Sequence, residues 1–191
     1  MKKSSIILIA IVGILVLIVI WGVGTRNSMV SSYEDVQSKA STIETQLQRR
    51  SDLIPNLVAT VKGYAAHEKD IYTDIADARA KLSGAIKEGD MASVSEANSE
   101  LDSAVSKLLA LVEDYPELKA NENFIALQDE LAGTENRIAK ARENYNNEVK
   151  SYNKIIKSFP NSIIANMSGF DEVDYFEAEE GAKEVPKVDF S

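Results

Sequence analysis

The chain has 191 residues, no cysteine, one histidine and a net charge of −9. That is room for one domain of ordinary size, and it excludes a disulfide scaffold, an iron–sulfur site, a thiol nucleophile, a lipoprotein cysteine and a paired-histidine zinc site. The excess of acid argues against nonspecific nucleic-acid binding, because nothing offsets phosphate repulsion, and only four prolines and nine glycines argue against a loop-rich all-β chain.

Residues 6–24, from Ile6 to Gly24, carry no charge and are mostly Ile, Val and Leu. As a helix they span about 28 Å, close to a hydrocarbon core. Trp21 stands at the far end, where an indole suits the headgroup layer. An uncleaved transmembrane anchor is expected. A signal peptide is the rival, with Gly22-Val23-Gly24 as its one small-x-small cleavage site, and a buried soluble helix is the bland alternative. Lys2 and Lys3 precede the span, while Arg26, Glu34 and Asp35 follow it. The positive-inside rule then leaves residues 1–5 cytoplasmic and puts the rest outside.

From Val30 onward apolar residues recur every three or four positions: Val30, Tyr33, Val36, Ala40, Ile43 and Leu47, then Leu57, Val61, Tyr64, Ile71, Ile75, Ala78, Leu82 and Ile86. That is the helical period. Pro55 is expected to end or kink the helix near Asp52–Ile54, with Ser51 or Asp52 capping its restart. The result would be one kinked helix from Arg26 to Ile86, about 90 Å long. Glu88-Gly89-Asp90 reads as a stop, a turn and a new N-cap. A third stretch runs Ala97, Leu101, Ala104, Val105, Leu108, Leu111, Val112, and Tyr115-Pro116 ends it. A fourth runs Phe124, Leu127, Leu131, Thr134, Ile138, Ala141, Tyr145, Val149, Tyr152, Ile156, Phe159, a coiled-coil-like seam closed by Pro160. Gly63 and Gly133 are expected inside helices, at a cost of about 1 kcal/mol each.

The fold expected is all-α: a transmembrane helix followed by an elongated antiparallel bundle of about four helices over residues 25–170. Residues 171–191 hold eight acids and two bases, −6 of the whole −9. They read either as a disordered acidic tail or as an arm docking through Tyr175-Phe176 and Val188-Asp189-Phe190.

No catalytic residue, metal or cofactor is expected. His67-Glu68 opens like a zincin motif, but Ile71 stands where the second histidine belongs, and Asp70 and Asp74 read as a solvated face of the same helix as His67. No nucleophile elbow or phosphate loop is present. The stretch Arg49 to Val58 is denser in chemistry. Arg49, Arg50, Asp52, Pro55 and Asn56 sit at the expected break, where they would satisfy freed backbone groups or form an elbow that binds a partner. Asn121 and Asn123 before Phe124, and the pairs Tyr145-Asn146 and Tyr152-Asn153 seven residues apart, are the other candidates for partner contacts. Tyrosines in a seam are most often core with a satisfied hydroxyl, and buried asparagines can fix register.

Three blocks of residues resemble the LemA family of bacterial membrane proteins. The first is Arg26-Asn27, Gln46-Leu47, Arg49-Arg50-x-Asp52-Leu53-Ile54-Pro55-Asn56-Leu57-Val58, Val61, Gly63-Tyr64 and His67-Glu68. The second is Tyr115 through Phe124, then Leu127-Gln128, Glu130-Leu131 and Thr134 through Ile138. The third is Ala141-Arg142, Tyr145-Asn146, Val149, Tyr152-Asn153, Phe159-Pro160, Phe170 and Tyr175-Phe176. The resemblance implies one N-terminal span, a bundle of long helices and no established enzymatic activity. The family includes a magnetosome-membrane member, which hints at membrane organisation.

The function expected is that of a non-enzymatic membrane scaffold in a bacterial cell membrane. Its partners would be the lipid bilayer, through residues 6–24, and further copies of itself. The alternative is an adaptor binding another membrane protein, a protease or transporter, through Arg49–Val58 or the acidic tail.

Overall fold

The computed structural model describes residues 3–176, with side chains from residue 7 onward. Six helices follow in chain order: α1 (Lys3–Lys62), α2 (Lys69–Glu88), α3 (Met91–Val112), α4 (Pro116–Lys119), α5 (Glu122–Lys157) and α6 (Asn161–Ser168). No strand occurs among the described residues, so the all-α expectation holds. The chain divides into two compact units. Of the described residues, one unit takes 3–39 together with 147–173 and the other takes 40–146 together with 174–176.

Helix α1 is 60 residues long and contains Pro55 without interruption. The expected break at Asp52–Ile54 is absent. Proline inside a helix costs about 3 kcal/mol. Against it stand Ile54 and Leu57, both fully buried, each contributing about 1.5–3 kcal/mol. They continue the rhythm Ala40, Ile43, Leu47, then Ile54, Leu57, Val61, all in the core. Keeping the stripe in phase outweighs the lost hydrogen bond. Pro55 itself is exposed.

The expected continuation from Val61 to Ile86 as one helix is also corrected. α1 stops at Lys62, and Gly63 lies in the turn that follows, outside any helix. The Tyr72 hydroxyl closes this turn by donating to the Ala65 carbonyl at 2.7 Å. Burial, with nearby Glu68 and Tyr115, holds the Tyr72 phenol above its ordinary pKa. His67 sits in the same turn and is exposed, not on the helix that carries Asp70 and Asp74.

Glu88-Gly89-Asp90 behaves as its residues suggest. Gly89 takes φ +74° and its N–H bonds the Ala85 carbonyl, a left-handed position that glycine fills without a Cβ clash. Asp90 then caps α3, accepting from the Ser93 N–H at 3.0 Å and from its hydroxyl at 2.5 Å. These bonds hold the Asp90 carboxyl below its ordinary pKa. The turn sends α3 back along α2: Lys81 pairs with Glu100 at 2.6 Å and Asp74 with Lys107 at 3.1 Å. The partners run in opposite order, as antiparallel helices require.

Tyr115-Pro116 ends the third stretch and starts the short α4. The seam of α5 is buried at Phe124, Thr134, Ile138, Ala141, Tyr145, Val149, Tyr152 and Ile156. Phe159 departs from it: past the end of α5, it is 84% exposed. In α1, Ile7 to Val23 presents an apolar surface whose large side chains are each 41–66% exposed. The stretch is long and apolar enough to cross a membrane.

Candidate functional site

Arg50 occupies the core position between Leu47 and Ile54, where the three-and-four rhythm of α1 asks for an apolar residue. Its side chain is 3% exposed. It is held by two helices. Nη1 donates to an Asp102 carboxylate oxygen and, at 2.9 Å, to Glu135. Nη2 donates to Asn98 Oδ1 at 2.7 Å. Asn98, also buried, donates from Nδ2 to the other Asp102 oxygen at 2.9 Å. Arg142 approaches that oxygen to 3.8 Å. Two guanidinium groups thus face two carboxylates, and the charges balance. Beside the network, α3 and α5 border a hollow of about 450 Å³ lined by Val105, Leu109, Leu131 and Ala132, with Arg50, Asp102 and Glu135 at its polar side.

The second arrangement is a clamp that occurs twice. In the unit holding residues 147–173, Asn153 Nδ2 donates to the Val173 carbonyl at 2.8 Å, and its Oδ1 accepts from the Val173 N–H at 3.0 Å. The neighbouring Tyr152 hydroxyl donates to the Asp171 carbonyl at 2.9 Å. Its ring meets Tyr33 at 5.6 Å between centroids. Burial, Tyr33 and Asp171 together raise the Tyr152 pKa. In the other unit, Asn146 treats Phe176 in the same way, donating at 3.0 Å and accepting at 2.9 Å. Tyr145 donates to the Asp174 carbonyl at 3.0 Å, and the Arg142 guanidinium lies 5.0 Å from the Phe176 ring centre. A carboxamide carries the same donor and acceptor as a peptide unit, so each asparagine stands in for a neighbouring strand.

The tyrosines are therefore core with satisfied hydroxyls, as expected. The asparagines fix a register, but that of the extended segment 171–176 rather than of another helix. Phe176 is buried, so the described part of the tail is docked. Val188-Asp189-Phe190 lies outside the described residues.

The remaining candidates fall on caps and surfaces. Arg49 is 53% exposed and pairs with Glu130 at 2.5 Å. Asp52 is exposed and accepts from Gln48 at 2.8 Å. Asn56 is exposed beside Pro55, its carbonyl accepting from the Thr60 hydroxyl at 2.9 Å. Asn121 caps α5 by accepting from the Phe124 N–H at 3.1 Å, and donates to the Tyr64 hydroxyl at 3.2 Å. Asn123 is exposed on the first turn of α5. The stretch Arg49–Val58 lies inside α1, whose helix runs through it without interruption.

Asn98 and Asp102 were not among the residues singled out from sequence, and Glu135 stood only within the block Thr134 through Ile138. The available signal was the rhythm of α1 passing through a charged Arg50, which demands buried acceptors nearby.

The chain matches the LemA family over residues 39–190. It is 31% identical over 185 residues to "Magnetosome protein MamQ" of Magnetospirillum gryphiswaldense, covering 85% of this chain and 68% of that protein. It is 30% identical over 185 residues to "Magnetosome protein MamQ 2" of Paramagnetospirillum magneticum, with the same coverage. "Protein LemA" of Metamycoplasma hominis is 28% identical over 167 residues, covering 87% of this chain and 74% of its own length. The matched stretch takes in the arginine network and both asparagine clamps, and the chain belongs to the LemA family.

Proposed function

We propose that the protein is a membrane-anchored, non-catalytic scaffold that self-associates through its long helices. Residues 6–24 sit in a bacterial cell membrane, the short N-terminus is cytoplasmic and the remainder is outside. The observation that carries this reading is α1: one helix bears an exposed apolar surface from Ile7 to Val23 and then, without a break, the buried stripe that ends at Val61. An apolar surface of that length in water is unfavourable at about 25 cal/mol per Å², and a bilayer removes the cost.

In this reading α1, α2, α3 and α5 form a four-helix antiparallel bundle. Reversed pairs such as Arg49–Glu130 and Tyr64–Asn121 support it beside the α2–α3 hairpin. A second copy would take apolar side chains left open, among them Val30 on α1, Tyr64 in the turn after it and Ile125 on α5. The names of the relatives, two of them magnetosome proteins, agree with a role at a membrane.

The test is the mass of the full-length chain in mild detergent beside a chain beginning at Arg26. A discrete complex larger than one chain is expected for the full-length protein. A monomer in both preparations removes self-association.

The second reading, an adaptor for another membrane protein, is favoured by the hollow between α3 and α5. Its apolar wall beside a charged network suits a partner side chain. Leu109→Asp at its rim should then abolish capture of a crosslinked partner while leaving the helical content unchanged; a retained crosslink rejects the hollow as the contact.

A further inference from the structure

We infer that α6 is an interfacial helix that seats its outer face in the headgroup and acyl boundary of the same bilayer; this rests on the reading of residues 6–24 as a membrane span. The eight residues of α6, Asn161–Ser168, include no charged side chain. Ala165 is buried, and Ile164 reaches α1 at Gly22, its Cδ1 lying 3.5 Å from where a Cβ on that glycine would stand. Gly22 follows Trp21, the residue at the polar end of the apolar stretch.

The opposite side of α6 is open and carries Ile163 and Met167 beside Asn166. Ile163 is 50% exposed and Met167, one helical turn on, 80%; Phe159, in the turn between α5 and α6, is 84% exposed. Residues four apart lie on one helix face. Large apolar side chains this open in water are unfavourable, and scattered ones need no explanation. These three are not scattered. Ile163 and Met167 share a face of α6 and Phe159 stands in the turn that leads into it, on a segment held against the end of a 19-residue apolar stretch. An uncharged, short amphipathic helix at that level enters the bilayer surface by about 5–10 Å. Trp21 is a residue type that favours the interface, and phenylalanine is among the apolar side chains that interfacial segments bury.

Gly169 then reverses the chain, with φ +71°, and Tyr152 and Asn153 take hold of Asp171 and Val173. Lys157 pairs with Glu172 at 2.6 Å. The segment leading to and from α6 is thus tied down on both sides, which fixes the face it presents.

The chain's single tryptophan makes the test direct. In a Trp21→Phe background, Met167→Trp and, separately, Ile14→Trp are reconstituted as full-length protein in phosphatidylcholine vesicles with lipids brominated at shallow or deep acyl positions. The expected result is blue-shifted emission for Met167→Trp, quenched most by shallow bromine and little by aqueous acrylamide. Ile14→Trp should be quenched most by deep bromine. If Ile14→Trp behaves so while Met167→Trp is quenched only by acrylamide, α6 lies in water and the inference is overturned with the anchor intact. Blue-shifted Met167→Trp emission indifferent to bromine places the face against protein and also overturns it. Indifference of both reporters to bromolipid rejects the span itself. Met167 is open enough that its replacement leaves the packing undisturbed, and unchanged helical content checks this.

Discussion

Arg50 shows how one residue can be decisive and hard to read. Its guanidinium has left water almost entirely, and removing one partner of such a network costs about 3–5 kcal/mol, because the remaining charge is stranded. Arg50→Met is expected to lower stability by that amount, read as the unfolding midpoint by circular dichroism. Adding Glu135→Gln, which leaves Arg142 facing Asp102, should recover much of the loss. Failure of the double variant to recover would show that shape, not charge balance, holds the site. Asp90 is a smaller case with a pH signature. Its folded pKa lies below the ordinary value near 3.9, so its contribution is complete above that value and is lost as pH falls through the lowered one. Asp90→Ala should cost about 1 kcal/mol at neutral pH. Asp90→Asn should keep the cap and flatten the acid limb of the stability profile.

At the scale of elements, boundaries that rest on local chemistry were legible and those decided by packing were not. Gly89 and Asp90 announce a left-handed stop and a cap, and both act on the nearest few residues. Pro55 announces a break by the same local logic, yet Ile54 and Leu57 are buried on either side and override it. Arg50 hid the stripe's continuity because a charge reads as surface until its partners are known. The clamps were half legible: the pairs Tyr145-Asn146 and Tyr152-Asn153 stood out by their spacing, but what they hold is backbone, which any sequence carries. Seven helical residues rise about 10.5 Å and three extended residues cover about 10 Å, so Asn153 and Asn146 share a period with Val173 and Phe176. Asn146→Ala or Asn153→Ala should cost about 1–3 kcal/mol and speed amide exchange at Phe176 or Val173 respectively. Unaltered exchange would mean that the tyrosine hydroxyls suffice.

For the whole molecule, the sequence made the all-helical class and the apolar segment plain, because both follow from composition and period. The division of α1 and α5 between two compact units was not legible, since a continuous helix carries no mark of where its neighbours change. Self-association is a property of surfaces, and the mass measurement in detergent decides it. If the full-length chain assembles and the chain from Arg26 does not, the apolar segment drives the assembly. If both assemble, the contacts lie on the helices after it.

The Arg50 network also sets a timetable. Its acceptors lie 48, 52 and 85 residues downstream. At about 5–20 residues per second on the ribosome, the last of them follows Arg50 by roughly 4–17 s. Throughout that interval the core face of the first helix is made but has no α5 to meet. A nascent chain stalled near residue 120 should therefore be cut rapidly by protease around Arg50, and one stalled after α5 has emerged should resist.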